Sequence, residues 1–449
     1  MKKKIFILFL FVLMLIPFTS CDSGNNPKKE IVLSNNNQVN MYTAAEAENC
    51  FNFFWETQTD ESFPGAGLIP DRFNTVRNQP AGYASIASVG FGLAAFPVGV
   101  HRGWITEEEG YERSLMTLTN IKDLITFEGF YYHFYNLKSG TPTDCEVSVI
   151  DTAIFVIGAL MAGEYFGGEV AELANEIYAR VNWNWYINPD TNQFYMSYDP
   201  DTRKHDGKWD IYGEQLMLYF LGAGSPEEEH RISKKVYDAF KKSVGVYESK
   251  TGEKFVFYNS WNGSIFTYQF SHAFIDFRNI VDAKGVDWYQ NSVIASQCAR
   301  QYCIDNPEGF SSLSHNANSW GLTACDTPTG YSGKLGNNPT GFGSNDQTRN
   351  DGTMALCGSV GSIPFLPTEV EESIQYYYEF QGGKLVGRFG LQDSYNVENG
   401  LWVAEDVIGI DKGVSLLMIE NHRSGLIWDY LSQADWMKQA IEVLEFESK

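Results

Sequence analysis

Chemistry in this sequence has to come from carboxylates that stand beside aromatic and amide side chains. In the run Trp209-Asp210-Ile211-Tyr212-Gly213-Glu214-Gln215-Leu216, Glu214 comes directly ahead of an apolar helical stretch that continues to Phe220. That position can aim an acid from a helix mouth into a sugar-binding cleft, with Trp209 and Tyr212 as candidate sugar contacts. A solvated first-turn Glu is the plainer alternative. Glu146 and Asp151 lie near the start of a second helical run. Glu146 follows Thr143 by three residues and can equally serve as its capping partner. Asp151 is a lone acid in Ile150-Asp151-Thr152-Ala153-Ile154, where a buried Asp bonded to a neighbouring hydroxyl is an equal explanation. Hydrolysis of a glycosidic bond needs one carboxyl to protonate the leaving oxygen and a second to activate water or attack the sugar. Helix N-termini favour the ionised form, so a proton donor there needs burial or a like-charged neighbour.

Two further polar clusters stand out. His272 and Asp276 are four residues apart and share a face of any helix over that segment, and Asp276 with Arg278 can form an ion pair or bind sugar hydroxyls. Asp411, Glu420 and Asn421 bracket an apolar run, which suits hydroxyl recognition or a capped helix end. Other chemistries lack their motifs. There is no Walker loop, and Gly341-Phe342-Gly343 lacks the third glycine of a dinucleotide fingerprint. Gly358-Ser359-Val360-Gly361 misses the spacing of a nucleophile elbow. The seven His residues form no HExxH, and Asp199-Pro200-Asp201 reads as a turn rather than a calcium loop. No metal and no cofactor is expected.

The elements that must position these residues are mostly helices. Capping boxes are expected at Thr43 with Glu46, Thr106 with Glu109, Thr143 with Glu146, Ser225 with Glu228, and Thr368 with Glu371. Helical spacing predicts helices after Thr43 and Thr106 and over 147–165, 169–181, 214–221, 233–246, 291–305, 413–423 and 434–445. Strand-like alternation is confined to 254–258 and 384–389. Helices recur without a composition break, so one large helical domain over 41–449 is expected, with helical hairpins closing into a ring. The irregular stretch 307–367 is long enough to be functional.

Lys2, Lys3 and Lys4, an apolar run to Phe18, and Thr19-Ser20-Cys21 describe an export signal over 1–21. Cys21 stands where a bacterial lipoprotein is lipidated, with a plain secreted protein as the fallback. Residues 22–40 are rich in Asn, Ser, Lys and Gly and read as a flexible tether. No other run is taken as a membrane span, so membrane association is expected through the lipid anchor alone, in the periplasm or on the outer membrane. Formal charge is −23, which argues against a nucleic-acid partner. Aromatic residues make up 15% of the chain, enough both to fill a core and to supply sugar platforms. The six cysteines after Cys21 decide no pairing.

Taken together, ordered motifs resemble the bacterial glucoamylase-like family that includes glycoside hydrolase family 144. They run from Phe54-Trp55-Glu56 and Gly67-Leu68-Ile69-Pro70-Asp71-Arg72, through Glu146-Val147-Ser148-Val149-Ile150-Asp151, the segment from Trp209 to Glu214, and that from Ser271 to Arg278. Trp320-Gly321-Leu322, Gly409-Ile410-Asp411 and Ser424-Gly425-Leu426-Ile427-Trp428 continue the series. The resemblance implies an all-α (α/α)6 toroid with minor β-hairpins, and a monomer that hydrolyses β-1,2-linked glucan with inversion, by endo cleavage or by release of sophorose. It implies Glu214, Asp151 and Glu146 as catalytic carboxylates, with acid and base unassigned. Arg72, Trp209, Tyr212, His272, Asp276, Arg278, Trp320, Asp393, Asp411, Glu420 and Asn421 are implied as substrate contacts. Thr267 and Lys412 depart from the Glu and Gln common in relatives. A glycan-binding lipoprotein without turnover, a glucosyl transferase and an α-glucan hydrolase stay open.

Overall fold

The computed structural model describes residues 31–341 and 349–449. Cys21, the leader before it and the first part of the tether lie outside the described residues. Fourteen α-helices occur among those described: α1 Met41–Thr57, α2 Ile86–Arg102, α3 Glu107–Ile121, α4 Val149–Phe166, α5 Gly168–Arg180, α6 Leu216–Gly224 and α7 Lys234–Ala239. There follow α8 Phe270–Phe274, α9 Trp288–Asp305, α10 Leu356–Val360, α11 Pro367–Glu379, α12 Gly409–Arg423, α13 Leu426–Leu431 and α14 Asp435–Leu444.

Burial separates them into two layers. In α4, buried residues run almost without break from Val149 to Tyr165, and every residue of α6 is buried. A helix that is apolar all round belongs inside a core. By contrast α3, α5 and α11 bury one stripe and turn Glu-rich faces outward. The inner helices pack closely where side chains vanish. A Cβ on Gly90 of α2 would sit 2.3 Å from the Ile154 carbonyl of α4, and one on Gly158 would sit 2.0 Å from that of Gly90. Helix α4 has the length and mean hydropathy, 1.6, of a membrane span, but it is 83% buried within the fold.

The strands are more numerous than alternation suggested, because most run two or three residues, too short to show a period. They form ten small antiparallel sheets among the described residues. Several end at the mouth of an inner helix: Tyr83–Ser85 before α2, Val147–Ser148 before α4, Met354–Ala355 before α10 and Asp406–Ile408 before α12. The hairpin at 254–258 is present, paired with Val244–Glu248. That pairing overturns the helix over 233–246, which stops at Ala239.

The capping boxes fare unevenly. Thr106 and Glu109 form theirs in full. Helix α1 starts earlier, at an Asn40 cap, and Glu46 is instead buried and paired with Lys412 at 3.0 Å. Thr143 starts no helix, Ser225 ends α6 rather than opening a helix, and α11 begins with Pro367 behind Leu366. Residues 31–40 do not behave as a free tether. The backbone N–H groups of Asn35 and Asn37 donate to the Ser424 and Arg423 carbonyls at 3.1 and 2.8 Å, and their side-chain amides donate to those of Asn421 and His422. The carbonyls of His422, Arg423 and Ser424 lie past the last ones that the end of α12 satisfies by itself. The six described cysteines are free thiols.

Candidate active site

The mouths of α2, α4, α6, α8 and α12 open onto one cavity of about 330 Å3. Its polar lining is Asp71, Arg72, Tyr83, His133, Asp151, Glu214 and Tyr331, with Phe266 and Phe270 on the apolar side. Helix α6 starts at Leu216, two residues later than the sequence suggests, so Glu214 precedes the helix instead of lying in its first turn. Its backbone carbonyl accepts from the Ser271 hydroxyl at 2.6 Å, and the Ser271 hydroxyl oxygen accepts the Met217 N–H at 3.0 Å, which locks the segment to α8. One carboxylate oxygen of Glu214 is enclosed without a hydrogen-bond partner. Burial, with the charge of Asp151 added, pushes the Glu214 pKa up to about 7, against the pull of its own backbone N–H. Near neutrality Glu214 therefore holds a proton it can give.

Asp151 sits in the first turn of α4. The Ser148 hydroxyl donates to its carboxylate at 2.5 Å and accepts its backbone N–H at 3.3 Å. The hydroxyl-bonded Asp and the cavity-facing Asp of the sequence are thus the same residue. His133 stands beside it, with Nε2 3.6 Å from Asp151 and Nδ1 2.8 Å from Glu146. Burial lowers the His133 pKa, but Asp151, Glu146 and Asp71 outweigh it and raise it to about 9. His133 in turn holds Glu146 below the ordinary Glu range. Glu146 faces a neighbouring polar cavity of about 660 Å3, which Tyr132, Asp199, Asp201 and Lys204 also line.

Arg72 is a second cation of the same cavity. Its strand, Arg72–Asn74, pairs with Asp406–Ile408 and so delivers it to the mouth of α12. Nη1 lies 3.1 Å from both oxygens of Asp326 and 3.6 Å from Asp406, and Nε lies 3.1 Å from Asp71. Burial disfavours the guanidinium, but the Asp326 and Asp71 charges raise its pKa. Behind Asp326, Asp393 accepts its backbone N–H at 2.7 Å. Asp393 and Asp411 are buried together. Burial and then the charge of Asp411 raise Asp393 well above the ordinary carboxylate range, and burial pushes Asp411 to about 6. They support the site from behind and do not line the cavity.

The structure does not bring the other expected contacts there. Trp209 and Tyr212 are core residues, the latter stacked on Trp288 with centroids 4.7 Å apart. Trp320 is fully buried. His272 is buried among Phe277, Tyr289 and Phe365, and burial drops its pKa to about 3, so it is a neutral core residue. Asp276 and Arg278 pair at 2.8 Å, and Arg278 stacks on Trp428 and bonds Asn35 beside the docked N-terminal segment. Glu420 takes a two-pronged contact from Arg102 at 2.7 and 2.8 Å, and Asn421 donates to the Ala273 carbonyl at 2.9 Å. These last four lie at the far ends of α8 and α12. Asp411 and Glu420 share an apolar helix, but nine residues at 1.5 Å each separate them by about 13 Å.

Asp71, His133, Asp326, Tyr331 and Asp406 belong to the site without having been singled out. Asp71 was legible beside Arg72, and the length of 307–367 pointed at the segment carrying Asp326 and Tyr331. No sequence pattern marks His133.

A family model described as "Glycoamylase: Putative glucoamylase" matches residues 206–435. A glucoamylase of the same description from Bacteroides uniformis has a solved structure that is 26% identical, with a TM-score of 0.79, covering 92% of this chain and 99% of that one. An endo-β-1,2-glucanase from Chitinophaga pinensis, solved with sophorotriose and glucose, is 24% identical with a TM-score of 0.79 and covers 91% of this chain and 98% of that one, which shows a shared fold. An exo-β-1,2-glucooligosaccharide sophorohydrolase (non-reducing end) from Parabacteroides distasonis is 26% identical over 424 residues, 86% of this chain. The chain spans 56% of that relative's length.

Proposed function

Because the chain belongs to the glucoamylase-like family, we propose that it is a glycoside hydrolase that cleaves β-1,2-linked glucans or gluco-oligosaccharides. The names of the Chitinophaga and Parabacteroides relatives support that substrate class. One observation carries the chemistry: Glu214 retains a proton near neutrality in a cavity it shares with the hydrogen-bonded Asp151. Glu214 protonates the glycosidic oxygen as the bond breaks. Asp151 takes a proton from the water that attacks the opposite face of the sugar, so the product anomer is inverted. Arg72 and His133 bound the cavity with positive charge, and Phe266 and Phe270 offer apolar contact to sugar faces. Glu146 belongs to the wall shared with the neighbouring cavity, where further sugar units extend.

The (α/α)6 toroid is part of the same reading. It is supported by the alternation of inner α2, α4, α6, α10 and α12 with outer α1, α3, α5 and α11, and by the packing of α2 on both α4 and α12. So is an exported, lipid-anchored protein, which rests on the basic and apolar N-terminal stretch ahead of Cys21. The test is digestion of linear β-1,2-glucan. Release of sophorose or sophoro-oligosaccharides that disappears in E214Q supports the proposal. Starch hydrolysis, lengthened products or binding without turnover would replace it.

A further inference from the structure

His133 is pinned on both sides of the cavity. Its backbone N–H donates to the Glu146 carbonyl at 3.0 Å, and its own carbonyl accepts the N–H of Ile86, the first residue of α2, at 3.1 Å. Its ring stacks on Phe134 with centroids 3.7 Å apart and an interplanar angle of 16°. That orientation leaves both ring nitrogens facing carboxylates, Nδ1 toward Glu146 at 2.8 Å and Nε2 toward Asp151 at 3.6 Å. Asp71, on the segment ahead of the Arg72 strand, also acts on its charge, and Arg72 and Glu214 line the same cavity. Nδ1 is at hydrogen-bond distance from Glu146 and Nε2 at ion-pair distance from Asp151, an arrangement that suits an imidazolium with hydrogen on both nitrogens.

We propose that His133 is a positioning residue that works as a cation, bridging Glu146 and Asp151 and fixing the Asp151 carboxylate beside Glu214. This rests on the hydrolase reading above. The difficulty it resolves is electrostatic. Several carboxylates crowd one cavity, and Asp151 must stay charged although its charge is what helps Glu214 keep a proton. A like-charged neighbour favours protonation, and a nearby cation opposes it. Arg72 is engaged with Asp71, Asp326 and Asp406. His133 is the cation that contacts Asp151.

The test has two arms on the full chain. In the first, the His133 ring is titrated by NMR without substrate. It should titrate above pH 8 in the parent and fall toward the ordinary His range of about 6.5 in D151N and E146Q. Titration near 6.5 in the parent, or no response to D151N, overturns the proposal whether or not the protein turns over any glucan. In the second, H133Q should move the acid limb of the kcat profile up by about one pH unit with KM little changed, while H133K, which keeps a cation, leaves the limb in place. A purely structural role would lower activity without moving the limb. If the parent cleaves no β-1,2-glucan, the hydrolase reading fails while the titration still decides the role of His133.

Discussion

Burial, with the charge of Asp151 in the first turn of α4 added to it, raises the pKa of Glu214, the residue two positions ahead of α6, so a proton donor near neutrality shares one cavity with a second carboxyl. A buried carboxyl that keeps its proton beside a second carboxyl is the arrangement of a general acid and its partner. Burial is the larger cause and the Asp151 charge the smaller, so the division of roles survives modest rearrangement of Asp151.

Glu214 also has a measurable cost to stability. Its folded pKa of about 7 exceeds the unfolded value of about 4.3, so between these pH values the folded state binds more protons. Stability attributable to this group therefore falls as pH rises from about 4 to about 7. E214Q should be more stable than the parent at pH 8, by about 1–3 kcal/mol after allowance for partial exposure, and equal to it at pH 4. Thermal melts at the two pH values check this.

Ser148 holds Asp151 in place and caps α4. S148A should lose about 1 kcal/mol of stability and lower kcat, because the Asp151 carboxylate loses the hydroxyl that fixes its orientation. D151N should lower kcat by about 10²–10⁴-fold with KM little changed. Steady-state kinetics with a matched melt separates the two effects.

Arg72 holds three carboxylates, so R72K is not conservative: a single ammonium cannot reproduce a planar fork. R72K should raise KM several-fold and weaken the order of the 325–332 hairpin, whose Asp326 is its bidentate partner. Hydrogen exchange across 325–332 and KM on one oligosaccharide test both.

Glu420 provides the contrasting case. It is 1% exposed and takes two bonds from Arg102. E420A removes the buried partner of a half-buried guanidinium and should cost about 1.5–3 kcal/mol, while kcat/KM below the lowered melting temperature stays within about twofold of the parent. Loss of activity in a folded E420A would place it in the site after all.

The sequence made some of this legible and concealed the rest for identifiable reasons. Glu214 could be found because it is the carboxylate nearest the mouth of an apolar helix, and Asp151 because it is an acid among core residues. Aromatic content could not separate platforms from core, so Trp209 and Tyr212 read as sugar contacts although Tyr212 stacks inside on Trp288. Periodicity gives the face of a helix but not the end, which is why Asp411 and Glu420 looked alike. His133 and Asp326 reach the site through two- and three-residue strands that leave no periodic trace. Their roles depend on tertiary partners distant in sequence, such as Arg72 with Asp326.

The most direct measurement is an anomer-resolved NMR time course on β-1,2-gluco-oligosaccharides of defined length, run with the parent and E214Q at equal concentration. The account predicts shorter β-1,2-linked products from the parent, with the new reducing end first appearing in the α configuration, and at least a hundredfold slower release from E214Q. Products that first appear as β anomers, or an E214Q variant that releases them at the parent rate, would contradict it.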